Sequence, residues 1–198
     1  MIRVGLTGGI GSGKTTVARV LEQSDVPVYY TDERGRWLSD NDPGVILKIK
    51  SLFGEEAYTG GELNRPFIAG KVFSDNLLLE RLNGIVHPAV REDYRAWAAE
   101  HSEAPYTVLE SAILFESGFD AEVEKVIVVT APEALRIERV MRRDGSDEAS
   151  VRARIAAQME EEERIARADF VLLADDKEVL IPQILKLHDL LLEITPNN

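Results

Sequence analysis

The chain has 198 residues, 44% of them hydrophobic, with 35 acidic and 23 basic residues, a net charge of -12 and no cysteine. One domain with a sizeable core fits that size, and the missing thiols exclude disulfides, thiolate metal sites and a cysteine nucleophile. A surface this acidic repels nucleic acid and anionic membranes, which leaves open a phosphate-rich small ligand met by cations focused in one cleft. No apolar run approaches the roughly 18 residues of a membrane span. The apolar part of Met1–Leu6 is too short for a signal peptide, so a cytoplasmic protein is expected, working as a monomer or weak homo-oligomer.

Arg3–Thr7 is an apolar run that predicts a buried strand, and Gly8–Gly13 is a glycine loop. Thr15–Gln23 has helical spacing, with Val17, Val20 and Leu21 on one side. Val26–Tyr30 predicts a second strand, with Asp32 just beyond it. Strand, loop, helix and strand make a βαβ unit and imply a parallel sheet. Residues 43–101 read as helical, with breaks at Gly60-Gly61 and Pro66 and no clear strand. Tyr106–Glu110 and Val126–Thr130 predict the third and fourth strands. Pro132 opens a helix, where its missing N–H costs nothing, and that helix runs to about Arg143 before Asp144-Gly145-Ser146. Ser150–Arg167 reads as one charged helix, Phe170–Leu173 as the fifth strand, Lys177–Leu192 as a closing amphipathic helix and Pro196–Asn198 as a tail.

Gly8-Gly9-Ile10-Gly11-Ser12-Gly13-Lys14-Thr15 fits the phosphate-binding pattern G-x-x-x-x-G-K-[ST] at every fixed position, between a strand and a helix. The loop must wrap backbone N–H groups around a phosphate, which glycine permits, and the following helix points its positive end at the same place. Gly11, Ser12, Gly13, Lys14, Thr15 and Thr16 are therefore the expected ATP-phosphate contacts. Lys14 reaches the β- and γ-phosphates, and the Thr15 hydroxyl is the expected Mg²⁺ ligand. Asp32-Glu33-Arg34-Gly35 nominally fits a GTPase switch, yet no N-K-x-D motif follows.

Asp32, at the ligand-binding edge of a parallel sheet, suits a group that accepts or orients an acceptor hydroxyl for in-line attack. A helix N-cap accounts for it equally well. Arg136, Arg139, Arg142 and Arg143 crowd one helix ahead of the glycine break, as a closing lid requires when the transition state needs cations. A solvated face paired with Glu138, Asp144 and Glu148 is the alternative. Glu160–Glu163 reads as solvated surface, balanced by Arg154, Arg164 and Arg167. Trp37 and Trp97 read as packing residues, and Glu110 as a structural acid or an indirect Mg²⁺ contact.

Taken together, the chain resembles the dephospho-CoA kinase family over nearly its whole length. Leu6–Lys14 resembles the family's L-T-G-G-I-G-S-G-K, Val28–Arg36 its V-I-D-A-D-x-x-A-R, and Leu82-Asn83 with His87-Pro88 its L-x-x-I-x-H-P. Leu109–Gly118 resembles L-D-I-P-L-L-F-E-S-G, and Arg139, Arg143, Asp144 and Gly145 its R-x-x-x-R-D-G. Arg154–Gln158 and Ala168-Asp169 resemble R-I-x-x-Q and the start of A-D-x-V-I-x-N. Tyr30, Ala112 and Ala174-Asp175 depart from these patterns.

The resemblance implies an α/β P-loop fold, with a five-stranded parallel sheet flanked by helices, a helical substrate insertion and a lid. It implies a nucleotide-binding core at 1–42, 102–138 and 168–198, a CoA-binding region at 43–101 and a lid at 139–167. It also implies ATP-dependent phosphorylation of the 3′-hydroxyl of dephospho-CoA. Asp32 is then the base or orienting group, Lys14, Arg139 and Arg143 the charge stabilisers, and His87, Leu114, Phe115 and Glu116 the contacts to the CoA side. Another P-loop small-molecule kinase and a nucleotide-binding switch remain as alternatives.

Overall fold

The computed structural model describes residues 1–73 and 75–195, so the expected tail at 196–198 lies outside the described residues. Contacts divide the chain into two compact units, Met1–Tyr30 with Glu100–Asn198, and Thr31–Ala99.

The first unit is built on a five-stranded parallel sheet of β1 (Ile2–Thr7), β2 (Val28–Tyr30), β5 (Tyr106–Glu110), β6 (Lys125–Thr130) and β7 (Phe170–Leu173), in the order β2-β5-β1-β6-β7. β1 lies between β5 and β6, so the chain leaves its carboxyl end where the connections diverge to either side. That is the position at which open parallel sheets bind ligands. The register sets Leu6 beside Glu110 and Thr7 beside Val128.

The strands are apolar on both faces because both faces are covered. Val4, Leu6, Val108, Ile127 and Val129 have no exposed surface. Helices α1 (Lys14–Glu22) and α9 (Leu180–Ile194) pack on them through Val17, Ala18 and Leu21, and through Ile184, Leu187 and Leu191. Buried side chains of this kind each contribute about 1.5–3 kcal/mol of transfer free energy. Tyr106, at the start of β5, reaches α9 through a 2.7 Å hydrogen bond between its hydroxyl and His188 Nδ1. Burial pushes the Tyr106 phenol well above its usual range.

At the β7 edge the outward N–H and C=O of Leu173 would face solvent. The Gln183 side chain takes both, its Oε1 accepting from Leu173 N–H at 3.1 Å and its Nε2 donating to Leu173 C=O at 3.0 Å.

The second unit is mostly helical: α2 (Thr31–Asn41), α3 (Pro43–Phe53), α4 (Arg65–Val72) and most of α5 (Asn76–Glu100), which runs on through Pro88. Its core gathers Val45, Ile49, Ala57 and Ile68. Asn64 caps α4 by accepting from Phe67 N–H at 3.2 Å, with Pro66 in the first turn. The expectation of no strand here is corrected by a hairpin, β3 (Tyr58–Thr59) against β4 (Glu62–Leu63). Gly60 and Gly61, at φ 64° and 94°, form its two-residue turn, and such turns need positive φ at both positions. Two-residue strands leave no alternation for a periodicity argument to detect.

The hairpin holds α2. Asp40 accepts from Leu63 N–H at 2.9 Å and from Arg65 at 2.7 Å, and Tyr58 donates to Ser39 C=O at 2.8 Å. Burial raises the Tyr58 phenol to about 12. Further along, Arg34 makes a two-pronged pair with Asp93 of α5 and lies over the Trp37 ring at 4.5 Å.

No helix among the described residues is long and apolar enough to cross a membrane. An added Cβ at Gly61 meets nothing within 4 Å, so Gly61→Ala tests backbone strain without a clash. Urea unfolding should show a loss of about 1 kcal/mol, and no loss would mean that the turn accepts another conformation.

Candidate active site

The glycine loop joins the buried end of β1 to α1, whose first turn carries Lys14, Thr15 and Thr16. Lys14 is 9% exposed, and its ammonium donates to Gly8 C=O at 2.9 Å, so it lies back over the loop that it serves. Ser12 is fully buried, with its hydroxyl unpaired among the described residues, whereas Thr15 and Thr16 are exposed on the first turn. That turn offers N–H groups and the positive end of a dipole to an anion.

The other side of the loop is pressed by α6 (Glu133–Asp144). A Cβ on Gly9 would lie 2.0 Å from Arg136 Nη1, and one on Gly11 would lie 2.5 Å from the Arg136 carbonyl. These glycines are dictated by a neighbouring helix as much as by the phosphate.

Two other α6 arginines differ sharply. Arg139 donates to Ala174 C=O at 2.8 Å, to Asp176 at 2.6 Å and to Gly11 C=O at 3.4 Å, which joins the loop to the turn after β7. In that turn Asp175 accepts from the N–H groups of Lys177 and Glu178, both at 3.0 Å. Arg143, at the end of α6, is largely exposed. It pairs with Asp144 at 2.6 Å, and Asp144 also accepts from Arg154 at 2.9 Å. The two guanidiniums hold the Asp144 carboxyl far below the usual carboxylate range, and Asp144 in turn raises Arg143.

The expected single helix at 150–167 is two, α7 (Glu148–Ala156) and α8 (Glu161–Ala166), with Gln158 in the break. Gln158 Oε1 accepts from Ile10 N–H at 2.8 Å, and its Nε2 donates to Ala112 C=O at 3.2 Å. Of the solvated face expected at 160–163, Glu160, Glu162 and Glu163 are exposed, and Glu161 alone is turned inward. Arg164 is 1% exposed and pairs with Glu161 at 2.7 Å, and Glu161 meets Arg136 at 3.5 Å. The i, i+3 spacing of Glu161 and Arg164 carried a signal of pairing, but nothing in the sequence marked the pair as buried.

The residues after β5 are placed unequally. Leu114 is fully buried, with Cδ2 2.8 Å from where a Cβ on Gly5 would lie, and Phe115 lies under the Arg167 guanidinium at 4.1 Å. Leu114 supports the sheet. Glu116 is exposed and accepts from Met159 N–H at 2.9 Å. Glu110 is buried at the carboxyl end of β5.

In the helical unit, Asp32 is exposed in the first turn of α2. It is neither a strand residue nor the cap, because α2 starts at Thr31, directly after β2. A carboxylate there is favoured by the helix dipole. His87 is half-buried in α5, and burial, then Arg91, lowers its pKa, which favours the neutral ring. No group of three or more His, Asp or Glu residues among those described forms a metal site. Thr15 is a hard oxygen donor of the kind that suits Mg²⁺ held mainly by phosphates and water.

The family model for dephospho-CoA kinase matches residues 2–179. A dephospho-CoA kinase from Porphyromonas gingivalis is 42% identical over 199 residues, covering 100% of this chain and 98% of that protein. A crystal structure of a Thermus thermophilus protein is 39% identical, with a TM-score of 0.82 over 98% of both chains. Dephospho-CoA kinase from Campylobacter jejuni, at 23% identity and a TM-score of 0.71 over 98% of this chain and 96% of that one, shares the fold. A match over nearly the whole chain, in family model and relative alike, makes this protein a member of the dephospho-CoA kinase family.

Proposed function

We propose that this chain transfers the γ-phosphoryl group of ATP to the 3′-hydroxyl of dephospho-CoA, giving coenzyme A and ADP. The observation that carries this is the complete phosphate loop, with Lys14 folded onto Gly8, in a chain of this family. On nucleotide binding, Lys14 exchanges the Gly8 carbonyl for the β- and γ-phosphates, while the loop amides from Gly11 to Thr16 hold the phosphate chain. The Thr15 hydroxyl would hold Mg²⁺ together with the phosphates, and the ion would supply charge neutralisation there.

Asp32 accepts or orients the proton of the acceptor hydroxyl. Its place on the first turn of a helix tied down by Arg34–Asp93 and by the Asp40 contacts suits a group that must not drift. Arg143 leaves Asp144 to meet charge developing on the migrating group, and Arg154 remains to hold Asp144. Arg139 steadies the loop from the far side and stabilises charge with it. His87, as a neutral donor or acceptor, serves the CoA side from the helical unit, and Glu116 does so from the first unit, where Leu114 is fully buried and touches no substrate. The helical unit contributes the CoA-binding surface, and 139–167 acts as the lid. The enzyme is expected in the cytoplasm, as a monomer or weak homo-oligomer, in keeping with an acidic, cysteine-free chain.

The test is acceptor-dependent ADP release with dephospho-CoA, AMP, CMP and a panel of hydroxylated metabolites. Coenzyme A with matching ADP, from dephospho-CoA alone, is the expected result; ADP with another acceptor would replace the substrate, and no acceptor dependence would discard the kinase. Asp32→Asn should lower turnover by about 10²-fold or more with ATP affinity nearly intact, and full activity would remove Asp32 from the chemistry. Arg143→Ala should lower kcat by about 10²-fold with little change in nucleotide affinity. A change confined to KM for ATP would make Arg143 a binding residue only.

A further inference from the structure

Gln158 sits in the break between α7 and α8 and touches both loops that leave the centre of the sheet. Its two polar atoms are spent on different backbones, Oε1 on the N–H of Ile10 and Nε2 on the carbonyl of Ala112. Those backbones follow β1 and β5, which are paired strands with Leu6 beside Glu110, and Ser111 N–H already donates to Leu6 C=O at 3.0 Å. One planar amide therefore closes a second bridge between the phosphate loop and the residues after β5. Only a side chain with a donor and an acceptor on one group makes it. A carboxylate loses the donor, and an apolar side chain loses both.

The break around Gln158 is itself fixed. Gln158 N–H donates to Ile155 C=O at 3.0 Å, Met159 N–H to Glu116 at 2.9 Å, and Arg164 to Met159 C=O at 2.6 Å. Below it, the buried Arg136 and Arg164 share the partly exposed Glu161 in a charge cluster against Gly9. Such a cluster costs desolvation that its one carboxylate offsets only in part, since Arg136 Nε, Glu161 Oε1 and Arg164 Nε are buried without a hydrogen-bond partner among the described residues. Ile10 lies one residue before the loop amides that begin at Gly11. A shift there moves the phosphate cradle, and a misplacement of about 1 Å costs on the order of 10²-fold in rate.

We propose that Gln158 is a positioning residue for phosphoryl transfer, setting the Gly9–Gly11 side of the phosphate loop and the Ala112 loop in register and carrying the placement of α7 and α8 to both. This rests on the kinase reading above. The residue touches no reacting atom and acts through Ile10 and Ala112.

The experiment compares wild type, Gln158→Met and Gln158→Glu in three measurements: kcat and KM, thermal midpoint, and deuterium uptake by peptides spanning residues 8–14. Gln158→Met should lower kcat by about tenfold or more, leave KM for ATP within about threefold and speed exchange in the loop peptide, with the thermal midpoint nearly unchanged. Gln158→Glu, which keeps the acceptor for Ile10 N–H, should restore slow loop exchange without restoring kcat. The proposal is overturned if Gln158→Met keeps kcat within about twofold. It is equally overturned if kcat falls only in step with a general loss of stability and protection, and should Gln158→Met not fold, the Gln158→Glu result decides alone. If wild type makes no coenzyme A, the kinase reading fails, and the exchange data together with ATP affinity still decide whether Gln158 sets the loop.

Discussion

The phosphate loop has to curl tightly enough to enclose an anion while a helix bears on its back, and much of the first unit follows from that double constraint. A Cβ at Gly8 would come within 2.2 Å of the Val129 carbonyl, and Gly9 and Gly11 meet Arg136 in the same way. β6 and α6 are thus tied to the loop by contact distances that tolerate no side chain. A guanidinium pressed against that backbone needs compensation, because a buried charge without a partner is costly. Glu161 supplies it, shared with the equally buried Arg164, and so α8 is drawn against α6. The loop is shaped by a chain of packing requirements that extends well past the eight residues of its motif.

Charge is distributed in the same spirit. The chain is strongly acidic, yet Lys14, Arg136, Arg139 and Arg143 converge on one loop and one helix. Arg139 and Arg143, one turn apart, sit in opposite circumstances. The first is held by two carbonyls and a carboxylate. The second is on the surface with a neighbouring carboxylate, where solvent screening keeps such pairs weak and exchange of partners easy.

The sheet and the phosphate loop were legible in the sequence because both leave local marks. Fully buried parallel strands read as continuous apolar runs, and a phosphate loop needs glycines at fixed intervals. Less legible was whatever depends on distant partners. Glu161 and Arg164 look like any charged helical surface until Arg136 is brought across from another element. The break at 157–160 carries no glycine or proline, since it is held open by Glu116 and Arg164 from the sides. Leu114 belongs to a segment of substrate-side resemblance, but its burial against Gly5 is set by the sheet. Asp32 was located to within a turn, while its place inside α2 rests on a helix that begins without any intervening loop.

Gln183 has a consequence outside catalysis. An exposed edge strand is an invitation to another chain, because its outward amides are ready to pair. By answering both backbone groups of Leu173, one glutamine does for that residue what a sixth strand would do. Its loss would leave the amide and carbonyl of Leu173, at an apolar strand end, open to pairing with another chain.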